Sequence, residues 1–234
     1  MRPTVRYIRR FPVKSTGGER LENAGVDRRG LVGDRGWAIY DADEKMASGK
    51  NTRRFRRMDP VFDVTSRMVD GARVPQIQVG SSLWLDAGSV DADDLVSAHM
   101  GHPVRLKPER DIAHFDDGQV SLLGTASLSA LGALLDESAV DARHFRTNLL
   151  LDTAEPWVEE AWIGQILRIG DVVLRVVGQV QRCRTINLAQ DGAKAHHRIL
   201  KTVGVHRNMR LGVYADVVEP GTLHFGDEII LDFA

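Results

Sequence analysis

Short apolar runs broken by Gly, Asp and Pro dominate the chain, and their period of two predicts strands rather than helices. Val5, Tyr7 and Phe11 alternate with Arg6 and Arg9-Arg10, predicting a first strand that ends near Pro12-Val13-Lys14. A second strand is expected over 21–26, a turn over 30–33 and a third strand over 36–40, closed by Asp41-Ala42-Asp43. Residues 61–66, 74–79 and 83–86 continue the pattern. Further on, strands are expected over 148–152, 212–218 and 223–231. A hairpin joins 166–169 to 172–177 across Gly170-Asp171.

Three segments read as helical. The first is capped by Asp91, with Leu95, Val96 and His99 on one face. The second is capped by Thr125, with Leu128, Leu131, Leu134 and Leu135 at helical spacing, and the third spans 193–203. Many short strands with few helices predict a mainly β (α+β) fold with barrel-like closure, not a doubly wound sheet. A composition shift near 90–110 divides the chain into an N-terminal β module, 1–100, and a second β module with helices, 101–234. The charged segment 108–119 is expected to be an exposed lid or loop.

The 234 residues suffice for a sizeable core, and 43% apolar with 27% charged residues is ordinary for a globular protein. With 31 Lys and Arg against 32 Asp and Glu, the net charge of −1 argues against general nucleic-acid binding. One cysteine excludes an internal disulfide. The N-terminal residues look like neither a signal nor a transit peptide, and no run approaches the roughly 18 apolar residues of a membrane span. A reducing cytoplasm is the expected compartment.

No Gly-rich phosphate loop, HExxH or CxxC pair occurs, so dinucleotide, P-loop and zinc chemistry lack their fingerprints. His196, His197 and His206 are read as surface or capping groups, and Arg53 to Arg57 as a solvated face. Cys183 lies between Arg182 and Arg184, and cations beside a thiol favour its thiolate. A thiolate suits a soft metal or a nucleophile, whereas a lone cysteine is equally often a small buried hydrophobe. Both readings stay open on local sequence. Three separated cationic motifs, Lys14-Ser15, Asp34-Arg35 and Arg146-Thr147-Asn148, each sit at a strand end, where they would suit an anionic, phosphorylated ligand.

In order along the chain, these residues resemble a family. Pro12-Val13-Lys14-Ser15 and residues 30–37 (Gly-Leu-Val-Gly-Asp-Arg-Gly-Trp) are similar to the MOSC N-terminal β-barrel module. Phe145 to Leu149, Trp162-Ile163-Gly164, Ile169 to Val172, Arg182-Cys183 and Pro220 to Asp227 are similar to the MOSC domain, named for the C-terminal domain of molybdenum cofactor sulfurase. The amidoxime-reducing components are the two-module relatives it resembles. The resemblance implies a molybdenum–molybdopterin cofactor with the metal on Cys183 and the pterin and its phosphate held by Lys14, Ser15, Arg35, Arg146, Asn148 and Arg182. Pyridoxal phosphate is a further cofactor expectation attached to the family.

The implied activity is reduction of small N-hydroxylated substrates, with electrons from an external reductase or small redox protein, since no flavin, haem or iron–sulfur motif is present. Two alternatives remain: a sulfur carrier using a Cys183 persulfide, and a non-catalytic cofactor carrier. The chain departs from the relatives at Met46 to Lys50, at Thr147 and after Cys183, which bears on substrate and electron donor.

Overall fold

Along Thr4–Arg10 Arg6 stays exposed, and a bulge between Val5 and Tyr7 lets Val5 and Ile8, three residues apart, enter the same core. In the computed structural model, which describes residues 2–232, this strand belongs to the largest of four sheets. Its eight strands run in the order Ile229–Asp232, Ile166–Ile169, Val172–Gln181, Arg210–Glu219, Val120–Gly124, Leu149–Asp152, Thr4–Arg10 and Glu19–Leu21. All neighbours are antiparallel except Val120–Gly124 beside Leu149–Asp152, joined by a crossover that carries a helix.

The fold is mainly β, as the periodicity predicts. No sheet among the described residues closes through one continuous ladder, but the two edges of the largest are drawn together. Thr4 bridges Glu228, the Val5 N–H donates to the Asp227 carbonyl at 2.9 Å, and the Gly226 N–H donates to the Val5 carbonyl at 2.8 Å. Leu122, Leu149, Leu151, Leu167, Leu174 and Val213 fill the space inside.

Three smaller sheets complete the chain. Asn23–Asp27 pairs with both Gly30–Leu31 and Gly221–His224. Trp37–Asp41 pairs with Met46–Ser48 and Val104–Pro108, and Phe55–Arg57 runs parallel to Met46–Ser48. Val64–Arg67, Gln76–Val79 and Leu85–Asp86 form the last. Between these sheets and helix α1 (Val90–Met100) lies a second core containing Val13, Ile39, Val61, Ile77, Val96 and Leu106.

Where helices start differs from expectation in each case. α1 is capped by Ser89, whose Oγ accepts the Ala92 N–H at 3.2 Å, while Asp91 sits one residue inside the first turn. α2 (Thr125–Ala133) begins after Gly124 with no side-chain cap; Thr125 Oγ1 instead accepts the Thr153 N–H at 3.2 Å. α3 (Ile199–Arg207) begins at Ile199 rather than 193, because the preceding residues bridge Gln190 to Ala193 and tie the His196 N–H to the Asn187 carbonyl. The expected strand over 21–26 is split between two sheets, and the strand expected over 223–231 is broken by a turn at Gly226, whose φ is 84°. Among the described residues no helix is long and apolar enough to cross a membrane.

Helices α2 and α3 cover the outer face of the two parallel strands. Leu122 and Leu149 point into the first core, whereas Leu123 and Leu150 meet Leu131, Phe145 and Val203 in a third. Both faces of these strands are buried, and that arrangement fixes the strand ends at which the next features lie.

Candidate functional site

Lys14, Ser15 and Arg35 come from turns beside the Thr4–Arg10 and Trp37–Asp41 strands. Arg146 and Asn148 precede Leu149–Asp152, and Arg182 and Cys183 follow Val172–Gln181. All seven line one cavity of about 340 Å³. Ser15, Arg35 and Arg146 have φ of 68°, 49° and 51°, a left-handed region that costs a non-glycine residue on the order of 1 kcal/mol or more. Backbone strain at three of seven positions marks where the chain turns sharply to aim these side chains inward.

The cavity is cationic. Lys14 is 4% exposed, and its ammonium lies 3.3 Å from Asp116 Oδ1 and 4.9 Å from the centre of the Phe55 ring. Burial pushes its pKa down to about 8, with Asp116 opposing that shift. Arg35 donates to Asp34, which is fully buried, and to the Arg146 carbonyl at 3.2 Å. Arg146 Nη2 donates to the Thr16 carbonyl at 2.7 Å, but its Nη1 is buried with no partner. Burial, then Arg35 and Arg9, bring the Arg146 pKa down to about 9. Guanidinium groups of Arg9, Arg35 and Arg146 all approach Phe11, the nearest at 4.4 Å, so one ring face offsets part of their mutual repulsion.

Two of the seven residues are wall rather than grip. Asn148 is 1% exposed; its Oδ1 accepts from the Ser121 N–H and Oγ, and its Nδ2 donates to the Arg9 carbonyl. Arg182, 7% exposed, donates from Nε and Nη2 to the Leu211 carbonyl and from Nη1 to the Phe145 carbonyl, all within 2.9 Å. Arg184 pairs with Asp59 at 2.7 and 3.0 Å and donates to the Gly49 carbonyl. Both arginines beside Cys183 are therefore engaged elsewhere. Cys183 is half-buried, and its Sγ donates to Thr185 Oγ1 at 3.3 Å.

Sequence reading missed Lys50, Ser121, His144 and Tyr214, and it gave the 108–119 segment as an exposed lid or loop without assigning any of its residues to the site. The structure brings Phe115, Asp116, Asp117 and Gly118 of that segment into the cavity lining. Its base is anchored by Arg29, which donates to Glu109 at 2.8 and 2.5 Å and lies 4.3 Å from the Phe115 ring. Fully buried His114 sits between Tyr40 Oη at 2.9 Å and the Arg35 carbonyl at 3.1 Å. A carbonyl only accepts, so Nδ1 carries the proton; because burial disfavours a second proton on the ring, Nε2 accepts from the Tyr40 hydroxyl near neutral pH.

Burial lowers the His114 pKa to about 4. Between that value and the ordinary histidine range near 6.5, the unfolded chain binds a proton that the folded chain refuses, so stability rises with pH across the window. We expect a rise on the order of 2–3 kcal/mol from pH 4 to pH 6.5. His114→Gln should flatten it in urea unfolding at stepped pH. An unchanged slope would remove His114 as its source.

The remaining sequence features lie elsewhere. His197 and His206 are exposed, and His196 Nε2 pairs with Glu137 at 2.8 Å. Arg56 pairs with Asp41 and Asp43, and Arg57 with Asp59 at 3.1 Å, so much of the basic run is neutralised in place.

A mainly β scaffold of several sheets with a cationic, cysteine-bearing cavity between strand ends defines the class. The MOSC N-terminal beta barrel domain profile matches residues 2–80 and the MOSC domain profile matches 99–230; the chain belongs to the MOSC family. It is 32% identical over 250 residues to a molybdenum cofactor sulfurase of Drosophila mojavensis, covering 92% of this chain and 32% of the relative. A molybdenum cofactor sulfurase of Drosophila grimshawi is 26% identical over 252 residues, with the same coverage of 92% and 32%. The chain thus spans about a third of the length of these relatives. The YUAD protein of Bacillus subtilis shares the fold, with a TM-score of 0.54 at 11% identity, covering 100% of this chain and 98% of that one. The protein is related to molybdenum-cofactor proteins.

Proposed function

We propose that the cavity binds a molybdenum–molybdopterin cofactor through Cys183, and that the protein is an oxidoreductase acting on small N-hydroxylated substrates. One observation carries this reading: the half-buried Cys183 lines the same 340 Å³ cavity as Arg146, a buried guanidinium with an unpartnered Nη1. That donor set fits a group that is anionic at one end and carries a soft metal at the other. When bound, the cofactor supplies the two-electron chemistry that removes an oxygen atom from the substrate.

The chain's own residues bind and orient. Cys183 offers the soft donor, and Lys14 and Arg146 offer positive charge where water is largely excluded. Ser15 adds a hydroxyl, and Arg35 presents its guanidinium while pinned by Asp34. Asn148 and Arg182 hold the walls to which these groups are attached. Electrons would come from a separate reductase or small redox protein, and the setting would be the cytoplasm. The test is molybdenum content by plasma mass spectrometry, with pterin fluorescence, on protein expressed with abundant cofactor. Near-stoichiometric metal is expected; metal-free protein would overturn the reading.

A second reading is sulfur transfer, in which Cys183 accepts a sulfur atom from a cysteine desulfurase and carries it as a persulfide. It is favoured by the partial exposure of Cys183 and by the likeness to proteins named as sulfurases. A Cys183 mass heavier by one sulfur after incubation with such a donor would support it, and an unmodified mass would count against it.

A further inference from the structure

The ligand of a cationic cavity is not the only carboxylate or phosphate that can sit in it. Asp116 Oδ1 lies 3.3 Å from Lys14 Nζ and 3.2 Å from Lys50 Nζ, and both ammonium groups are about 5 Å from the centre of the Phe55 ring. One carboxylate oxygen is thus clamped by two lysines over an aromatic face. The clamp is part of the cavity wall, and Asp116 arrives there on the segment 109–118.

We infer that segment 109–118 is a strap that seats its own carboxylate, Asp116, on the two-lysine anion subsite of Lys14 and Lys50, so that an anionic ligand enters by displacing it. The inference rests on the proposal that the cavity takes an anionic group, and it concerns how that group gains access.

Charge balance favours exchange. Lys14, Lys50 and Arg146 together face one seated carboxylate, because Arg35 is already matched by Asp34. A dianionic phosphate brings more charge to the clamp than a carboxylate and makes more hydrogen bonds. Asp116 is also the more accessible half of the arrangement: its side chain is 43% exposed, whereas that of Lys14 is 5% exposed. Leaving Lys14 buried with no anion would be costly, so the seat is filled either from within or from outside.

The strap is held on both sides of Asp116, more firmly before it, where Arg54 donates to the Ala113 and Phe115 carbonyls, than after it. Its base is fixed by Arg29–Glu109, by the Glu109 N–H to the Gly36 carbonyl at 2.7 Å and by buried His114. Its far end rests on the Tyr214 ring through Gly118, where an added Cβ would lie 2.6 Å from Tyr214 Cβ and Cγ. Only a residue without a side chain can lie that close, so the closed seat depends on Gly118. Between the two ends, Asp111 and Ile112 are exposed.

Inorganic pyrophosphate titrated into the cofactor-free full chain by calorimetry tests the strap. Asp116→Asn, which keeps the shape and removes the charge, should tighten pyrophosphate binding about tenfold, as expected when a competing closed state filled roughly nine-tenths of the time is lost. Gly118→Ala, which unseats the strap sterically, should change affinity in the same direction. In the wild-type chain, pyrophosphate should speed cleavage at Asp116 and Asp117 by an aspartate-directed endoproteinase, read as the masses of the fragments.

Unchanged or weaker binding by both variants, or cleavage indifferent to pyrophosphate, would overturn the inference. Molybdenum content separates it from the cofactor reading. Metal-free protein that still shows the gain keeps the strap and discards the cofactor; metal-loaded protein without the gain does the reverse.

Discussion

Replacing Cys183 by serine is expected to cut molybdenum content at least tenfold while leaving folding stability within about 0.5 kcal/mol of the parent. The two halves of that expectation have separate causes. A serine hydroxyl is a hard donor that stays protonated near neutral pH, so it replaces the volume of a thiolate without its affinity for a soft metal. Cys183 is half-buried, its Sγ donates to Thr185 Oγ1 at 3.3 Å, and it belongs to none of the apolar clusters. Plasma mass spectrometry paired with urea unfolding on the same preparation measures both. Full metal content in the serine variant would move the metal away from Cys183.

One residue earlier the consequences reverse. Arg182→Met should destabilise the fold by about 3 kcal/mol, because two buried carbonyls lose charge-assisted donors. Nε and Nη2 hold the Leu211 carbonyl and Nη1 holds the Phe145 carbonyl, so one guanidinium ties the Arg210–Glu219 strand to the turn that delivers Arg146. Burial lowers its pKa only to about 10, so it remains charged at neutral pH. Methionine keeps much of the volume and regains some apolar burial, which is why the loss is set at 3 and not at the sum of the separate bonds. Arg182→Lys, with its single nitrogen, should recover only part of the deficit. Chemical denaturation of the three proteins decides it, and a Met variant within 1 kcal/mol of the parent would show that Arg182 is not a tie.

The cationic part of the cavity was readable because strand-end motifs carry it. Lys14-Ser15, Asp34-Arg35 and Arg146 to Asn148 each follow or precede an apolar run, and each places its cation at one mouth. Their division of labour was not readable. Nothing in the local sequence distinguishes Arg146, with its unpartnered nitrogen, from Arg182, whose donors are bound to carbonyls of residues far along the chain.

Val120–Gly124 escaped notice for a related reason. All five residues are buried, so the alternation that betrays a half-exposed strand is absent. Asp116 and Tyr214 entered the site from segments with no motif of their own. Helix starts were misplaced where capping is done by a neighbour of the obvious candidate, as with Ser89 before Asp91, or by no side chain at all, as at Gly124 and Arg198.

The pairing of Thr4 with Glu228 has a bearing on the order of events during synthesis. The first strand of the largest sheet has its N-terminal end completed by residues that leave the ribosome more than two hundred positions later, and the cavity wall includes Tyr214 as well as Lys14. Contacts so distant in sequence form slowly, and at about 5–20 residues per second roughly ten seconds or more separate the synthesis of Thr4 from that of Glu228. Until then Lys14, Arg146 and Cys183 share no enclosure. A ligand that needs the whole enclosure can therefore be taken up only after the strands around Tyr214 and Glu228 have been made, so its arrival follows the synthesis of Lys14, Arg146 and Cys183 and does not accompany it.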